Sequence, residues 1–123
     1  IAYGAWVKTA KEALAQIKTI DVELIDLRTI SPLDTETIIN SVKKTGKCVI
    51  VQEAPKTLGL ASEIIARINE KALYSLEAPV ERVCGFDTVP PLRLHEDYYL
   101  PSADKIVAAI ERVMKNAKGG NGV

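Results

Sequence analysis

A three-layer α/β/α domain with a mostly parallel central sheet is the fold this sequence predicts, on three observations. Short apolar runs rich in β-branched residues alternate with stretches whose apolar residues recur at helical spacing. The strongest run, residues 47–53, reads Lys-Cys-Val-Ile-Val-Gln-Glu and is apolar on both faces, as a central parallel strand is. The resulting order, β-α-β-α-β-α-β-α, joins successive strands through helices, which is the crossover that parallel pairing requires.

The first element, Ile1-Ala2-Tyr3, reads as the end of a strand, and Gly4 lets the backbone turn into a helix. A strand cut at its start points to a fragment of a longer chain. Val7, Ala10, Leu14 and Ile17 then fall at helical spacing opposite Lys8, Lys11, Glu12 and Lys18, which predicts an amphipathic helix over residues 5–18. Residues 22–27 form a mostly apolar strand, which Pro32 keeps from continuing in a ladder. Asp34 is the N-cap of a second helix carrying Ile38, Ile39 and Val42, and Gly46 closes it. The strand at 47–53 gives way to a loop over 54–59. Ile64, Ile65, Ile68 and Ala72 mark a third helix, residues 80–84 a fourth strand, and Pro90-Pro91 a stretch without regular structure. Ser102 caps the last helix, whose buried face holds Ile106, Val107, Ile110, Val113 and Met114. Residues 1–116 make the domain and 117–123 a disordered tail.

Composition bounds the rest. A chain of 123 residues, 47% apolar and 26% charged, is one globular domain with a core of its own. Lys plus Arg and Asp plus Glu both number 16, so no net field steers it toward nucleic acid or an anionic membrane. A neutral surface also favours life inside an assembly. No run approaches the roughly 20 apolar residues of a membrane span, and no signal peptide opens the chain, so a cytoplasmic location is expected. Cys48 and Cys84 read as small buried hydrophobes rather than a disulfide framework.

Several apparent motifs fail on their own terms. His95-Glu96 lacks the second histidine of a zinc protease, and a single histidine in a proline-rich loop is given no catalytic role. Ser41-Val42-Lys43-Lys44 and Lys44-Thr45-Gly46 overlap, so they cannot be separate elements of a serine hydrolase site. No glycine-rich phosphate loop is present. Two residues keep two readings each. Arg28 ends a strand, where open α/β sheets place ligands, and either clamps a phosphate or carboxylate or pairs with Asp34, Glu53 or a neighbouring domain. Glu53 is an acid/base candidate or a partner of Arg28 and backbone amides.

The run Asp26-Leu27-Arg28-Thr29-Ile30-Ser31-Pro32-Leu33-Asp34 is followed by Val51-Gln52-Glu53-Ala54-Pro55-Lys56-Thr57-Leu58-Gly59. Further on come Ala78-Pro79-Val80-Glu81-Arg82-Val83, Gly85-Phe86-Asp87-Thr88-Val89-Pro90 and Tyr99-Leu100-Pro101-Ser102. In this order and spacing the chain resembles the C-terminal domain of the beta subunit of the 2-oxo acid dehydrogenase decarboxylase components, the pyruvate and branched-chain type. These share the transketolase C-terminal fold.

The resemblance implies an assembly domain of an oxidative decarboxylase, inactive when isolated. Thiamine diphosphate and magnesium belong to the holoenzyme, whose cofactor-activating glutamate comes from a preceding domain. No catalytic, cofactor or metal residue is therefore expected in this chain. The implied partners are a second copy across a two-fold axis, the alpha subunit, and the small subunit-binding domain of the dihydrolipoyl acyltransferase. The location is cytoplasmic, or the mitochondrial matrix in a eukaryote. The family's docking segment, Leu-Asp-Ala-Pro, falls on Leu76-Glu77-Ala78-Pro79, which makes Glu77, Ala78 and Pro79 the implied partner-binding residues. Residues 118–123 depart from the family's short ending, which carries part of the same contact. The competing reading, independent of resemblance, is a free-standing α/β domain that binds a small anion near Arg28 and Glu53.

Overall fold

The computed structural model describes residues 1–91 and 95–118. Four strands, β1 (Ala2–Tyr3), β2 (Asp26–Leu27), β3 (Val49–Pro55) and β4 (Glu81–Gly85), form one sheet in the order β2-β1-β3-β4, with every pairing parallel. The helices are α1 (Trp6–Gln16), α2 (Thr35–Thr45), α3 (Leu60–Ala72), a single turn α4 (Glu96–Tyr99) and α5 (Ala103–Lys118). A 3₁₀ turn, Leu73–Ser75, extends α3.

Two apolar clusters flank the sheet. On one side Ile38, Ile39 and Val42 of α2 meet Ile64, Ile68 and Ala72 of α3 over Ile50. On the other, Val7, Ala10 and Ala13 of α1 meet Ile106, Ala109 and Ile110 of α5 over Val51 and Val83. Alternate residues of β3 thus feed opposite layers, which is why that run is apolar on both faces. The capping predictions hold in detail. Asp34 accepts from Thr37 N at 3.1 Å, Ser102 Oγ accepts from Lys105 N at 3.3 Å, and Gly46 ends α2 in the left-handed conformation, φ +68°.

The core of β3 contains one polar side chain, Gln52, with no solvent exposure. Its Oε1 accepts from Ala61 N at 2.8 Å, and its Nε2 donates to Pro55 O at 3.1 Å. That amide therefore splices the carboxyl end of β3 to the first turn of α3, and satisfies groups that burial would otherwise leave costly. Gly59 permits it, since an added Cβ would stand 2.1 Å from Gln52 Nε2.

Several boundaries differ from the sequence expectation, the first helix for instance ending at Gln16 rather than at 18. The second strand, expected over 22–27, is confined to Asp26–Leu27, because β1 offers it only Ala2 and Tyr3 as partners. The third runs on to Pro55, which needs no N–H at the ladder's end and pairs with Gly85 after a shift of register. The helical turn α4 forms just after the proline-rich stretch. The last helix, α5, continues to Lys118. Residues 119–123 of the expected tail lie outside the described residues.

Candidate docking surface

The 3₁₀ turn after α3 leads the chain to the amino end of the sheet, where residues 76–80 cross toward β4. Glu77 N donates to Gly46 O at 2.8 Å, so this segment is tied to the C-cap of α2. The neighbouring Lys47 reaches back and pairs its ammonium with the Glu77 carboxylate. Gly46 matters twice here, for its positive φ and because an added Cβ would lie 2.8 Å from Glu77 Cδ. The Glu77 side chain remains 58% exposed in spite of the pair. Ala78 is buried and anchors the turn, while Pro79 is exposed and stiffens it. Of the three residues singled out by sequence, two thus face solvent and one holds them in place.

Sequence reasoning missed two members of this surface. Lys47 sits 30 residues from its partner, and nothing local in the sequence signals the pair. Tyr74, three residues before Glu77, is fully exposed, and Leu73 beside it is about half exposed. A solvent-facing tyrosine is a residue that protein interfaces favour at their centres, with charges such as Glu77 placed toward the rim. The signal available was weak: a tyrosine just past the apolar period of α3.

At the opposite, carboxyl end of the sheet, Arg28 and Glu53 do not meet. Strand β1 lies between them, and each has a partner of its own. Arg28 Nε donates to Asp26 Oδ2 at 2.6 Å, two residues away along the same strand face, and its side chain is 86% exposed. Glu53 Oε2 accepts from Trp6 Nε1 at 3.3 Å. Asp34, the other expected partner of Arg28, is committed to capping α2 through Thr37, and those two hydrogen bonds hold its carboxyl below the usual range. Arg28 instead lines an open depression of about 540 Å³ with Lys8 and Lys11 of α1. That gathers three cations around the single carboxylate of Asp26, which is the geometry left to an anion.

The remaining polar groups at this end are satisfied locally. Asp87 accepts from Thr57 N at 2.8 Å and Thr57 Oγ1 at 2.6 Å, which lowers its carboxyl from the ordinary value. Lys105 donates to two carbonyls, Tyr98 O and Leu100 O, near the face of Phe86. Burial pushes the thiols of Cys48 and Cys84 up, away from the reactive thiolate, as suits hydrophobes. Among the described residues, no group of three or more His, Cys, Asp or Glu side chains could hold a metal ion. No helix among them is long and apolar enough to cross a membrane.

Residues 1–106 match the family described as transketolase, C-terminal domain. The pyruvate dehydrogenase E1 component subunit beta of Acholeplasma laidlawii is 49% identical over 117 residues, which is 94% of this chain and 36% of that protein. The 3-methyl-2-oxobutanoate dehydrogenase subunit beta of Mycobacterium tuberculosis is 44% identical over 119 residues, again 94% of this chain and 34% of the relative. The chain therefore spans about a third of the length of the curated relatives it matches. Among solved structures, an inactive β4 tetramer of a split-gene transketolase superposes with a TM-score of 0.78 at 24% identity, over 94% of this chain and 37% of that one, and so shares the fold.

Proposed function

The chain belongs to the transketolase C-terminal domain family, and from that membership we propose that it is the assembly and partner-docking domain of a 2-oxo acid dehydrogenase decarboxylase beta subunit. The observation that carries this reading is the identity of 44–49% with beta subunits of the pyruvate and branched-chain enzymes across nearly the whole chain. The surface geometry supports it. The turn that corresponds to the family's docking segment exposes a carboxylate beside a bare tyrosine, and Ala78 and the Gly46 carbonyl fix its backbone.

In this reading Glu77 binds a basic side chain of the small subunit-binding domain of a dihydrolipoyl acyltransferase. Tyr74 and Pro79 supply flat apolar area around that charge. Because Lys47 already occupies the carboxylate, the partner's cation has to share or displace it, so Lys47 tunes the affinity of the site. A second copy and the alpha subunit complete the set of protein partners. In this reading thiamine diphosphate and magnesium belong to the rest of the holoenzyme, and this chain's share of the work is to bind and position.

Calorimetric titration of the chain with the subunit-binding domain tests the reading: saturable binding that weakens in Glu77→Ala supports it, and no binding overturns it. A second reading, a free-standing anion-binding domain, is favoured by the depression that joins Lys8, Lys11 and Arg28. Its signature is saturable phosphate binding lost in Arg28→Gln.

A further inference from the structure

At the carboxyl end of the sheet, two loops and the turn α4 leave large apolar side chains uncovered. Leu58 is 96% exposed and Val89 85%, and Phe86 and Tyr98 are mostly exposed. Among the described residues, the other exposed large apolar side chains are Ile30 and, on the docking turn, Leu73 and Tyr74. Single exposed apolar residues need no explanation, but several gathered on adjoining loops mark a surface that another molecule covers.

These side chains are held in place. Leu58 has φ +59°, a left-handed conformation that a leucine adopts only where its surroundings impose it. Arg82 Nη1 donates to Lys56 O at 3.0 Å, and Asp87 accepts from Thr57 N at 2.8 Å, which fixes the loop on the amino side of Leu58. On the other side, Gly59 packs so closely on Gln52 and Pro55 O that a Cβ there would clash. Asp87 also ties the loop of Phe86 and Val89 to that of Leu58. Lys105 completes the frame, donating to Tyr98 O at 2.6 Å from a position 5.8 Å off the centre of the Phe86 ring. An apolar side chain fixed in this way loses little freedom when a partner covers it, as suits an interface anchor.

Covering this end costs little in lost hydration, because its polar groups already bond within the domain. Asp87 is engaged by Thr57, Lys105 by two carbonyls, and Glu53 by Trp6 Nε1. Beside the apolar residues lies a depression of about 270 Å³, lined by Pro55, Pro90, Pro91 and Tyr99 together with Glu53 and Glu96. Glu53, Asp87, Glu96 and Asp97 are all exposed, whereas Lys56 is the exposed cation on the described parts of these loops. The face is therefore acidic as well as apolar. A two-fold contact between identical copies would set that acidity against itself. An apolar surface bordered by lysine and arginine complements it.

From the uncovered apolar side chains, their fixed frame and the acidic border, we propose that the carboxyl end of the sheet is a second protein interface whose occupant is an apolar, basic-rimmed surface of the alpha subunit. The inference rests on the reading of this chain as a beta-subunit domain. In that reading the acyltransferase domain takes the Glu77 turn, which leaves the opposite end of the sheet to the other heterologous partner. Leu58 is the anchor and enters a pocket of the alpha subunit, with Phe86, Val89 and Tyr98 around it. A lysine or arginine of the alpha subunit lays its stem along the prolines and brings its charge to Glu53 and Glu96.

The test is calorimetric titration of the chain with the purified alpha subunit, for wild type, Leu58→Gly, Val89→Ser and Tyr74→Ser. Leu58→Gly removes the anchor and suits the left-handed φ, so its unfolding midpoint should stay close to that of the wild type while affinity falls at least tenfold. Val89→Ser, on the other loop, should weaken binding severalfold, and Tyr74→Ser, at the other end of the sheet, should leave it unchanged. Added salt should weaken the wild-type contact more than that of Glu96→Gln. Wild-type affinity in both Leu58→Gly and Val89→Ser overturns the proposal. So does a wild-type chain that fails to bind the alpha subunit, and undiminished binding of the acyltransferase domain would then leave the beta-subunit reading standing. If Leu58→Gly lowers self-association and spares alpha-subunit binding, the surface belongs to a second copy and the assigned occupant is wrong.

Discussion

The two ends of the parallel sheet differ in how their polar groups are satisfied. At the carboxyl end, where open α/β sheets usually bind ligands, each functional candidate is tied to a neighbour. Asp26 takes Arg28, Trp6 takes Glu53, Thr57 takes Asp87, and Gln52 knits β3 to α3. At the amino end the surface is left open. Glu77 holds one lysine and remains exposed, and Tyr74 is fully exposed. The polar groups of the carboxyl end are thus mostly paired within the domain, apart from the depression lined by Lys8, Lys11 and Arg28, while the other end presents charge and aromatic area to solvent.

The largest effect should come from breaking the closed end. Gln52→Leu leaves Ala61 N–H buried without an acceptor and frees Pro55 O. We expect a loss of about 2–4 kcal/mol in urea unfolding, with the docking turn unaffected. Gly46→Ala strikes the open end instead. A side chain at φ +68° costs about 1–2 kcal/mol in backbone strain alone, and the 2.8 Å approach to Glu77 should displace the carboxylate. Unfolding and acyltransferase-domain binding should therefore fall together in that variant, whereas Gln52→Leu should separate them.

Smaller changes sharpen the contrast. Lys47→Gln removes an ion pair whose carboxylate is half exposed and whose lysine is mostly buried, and it keeps a side chain of similar reach, so stability should fall by about 1 kcal/mol. Affinity for a basic partner should rise up to about fivefold as the competing cation is lost, which titration calorimetry would read. The smallest effect concerns acid. Hydrogen bonds from Thr57 and Thr37 lower the carboxyls of Asp87 and Asp34, so folding favours their ionised forms. That stabilisation is complete above the ordinary carboxylate value, about 4, and is lost as pH falls through the lowered folded values. Asp87→Asn should slightly flatten the decline below about pH 4, because the variant lacks a carboxyl that binds its proton more readily in the unfolded chain than in the folded one.

Most of the architecture was legible because it is local. The β-branched run of β3, the Asp34 and Ser102 caps and the Gly46 terminator each carry their physics within a few residues. The misreadings came from pairing. Residues 22–25 have the composition of a strand, yet a strand exists only where a neighbour completes it, and β1 supplies just two residues. The site residues divide in the same way. The Arg28–Asp26 pair was within reach, since residues two apart on a strand share a face. The Glu77–Lys47 pair and the Trp6–Glu53 contact join residues 30 and 47 apart, and only the folded chain brings them together.

The central claim is that Glu77 is a docking residue, and dissociation kinetics test it most directly. Wild type and Glu77→Ala would be passed over an immobilised acyltransferase subunit-binding domain by surface plasmon resonance at low and high salt. A partly desolvated contact is worth about 2–5 kcal/mol, so Glu77→Ala should dissociate at least tenfold faster at both salt concentrations while its unfolding midpoint stays close to that of the wild type. Equal dissociation rates for the two proteins would contradict the assignment and leave Glu77 as no more than the partner of Lys47.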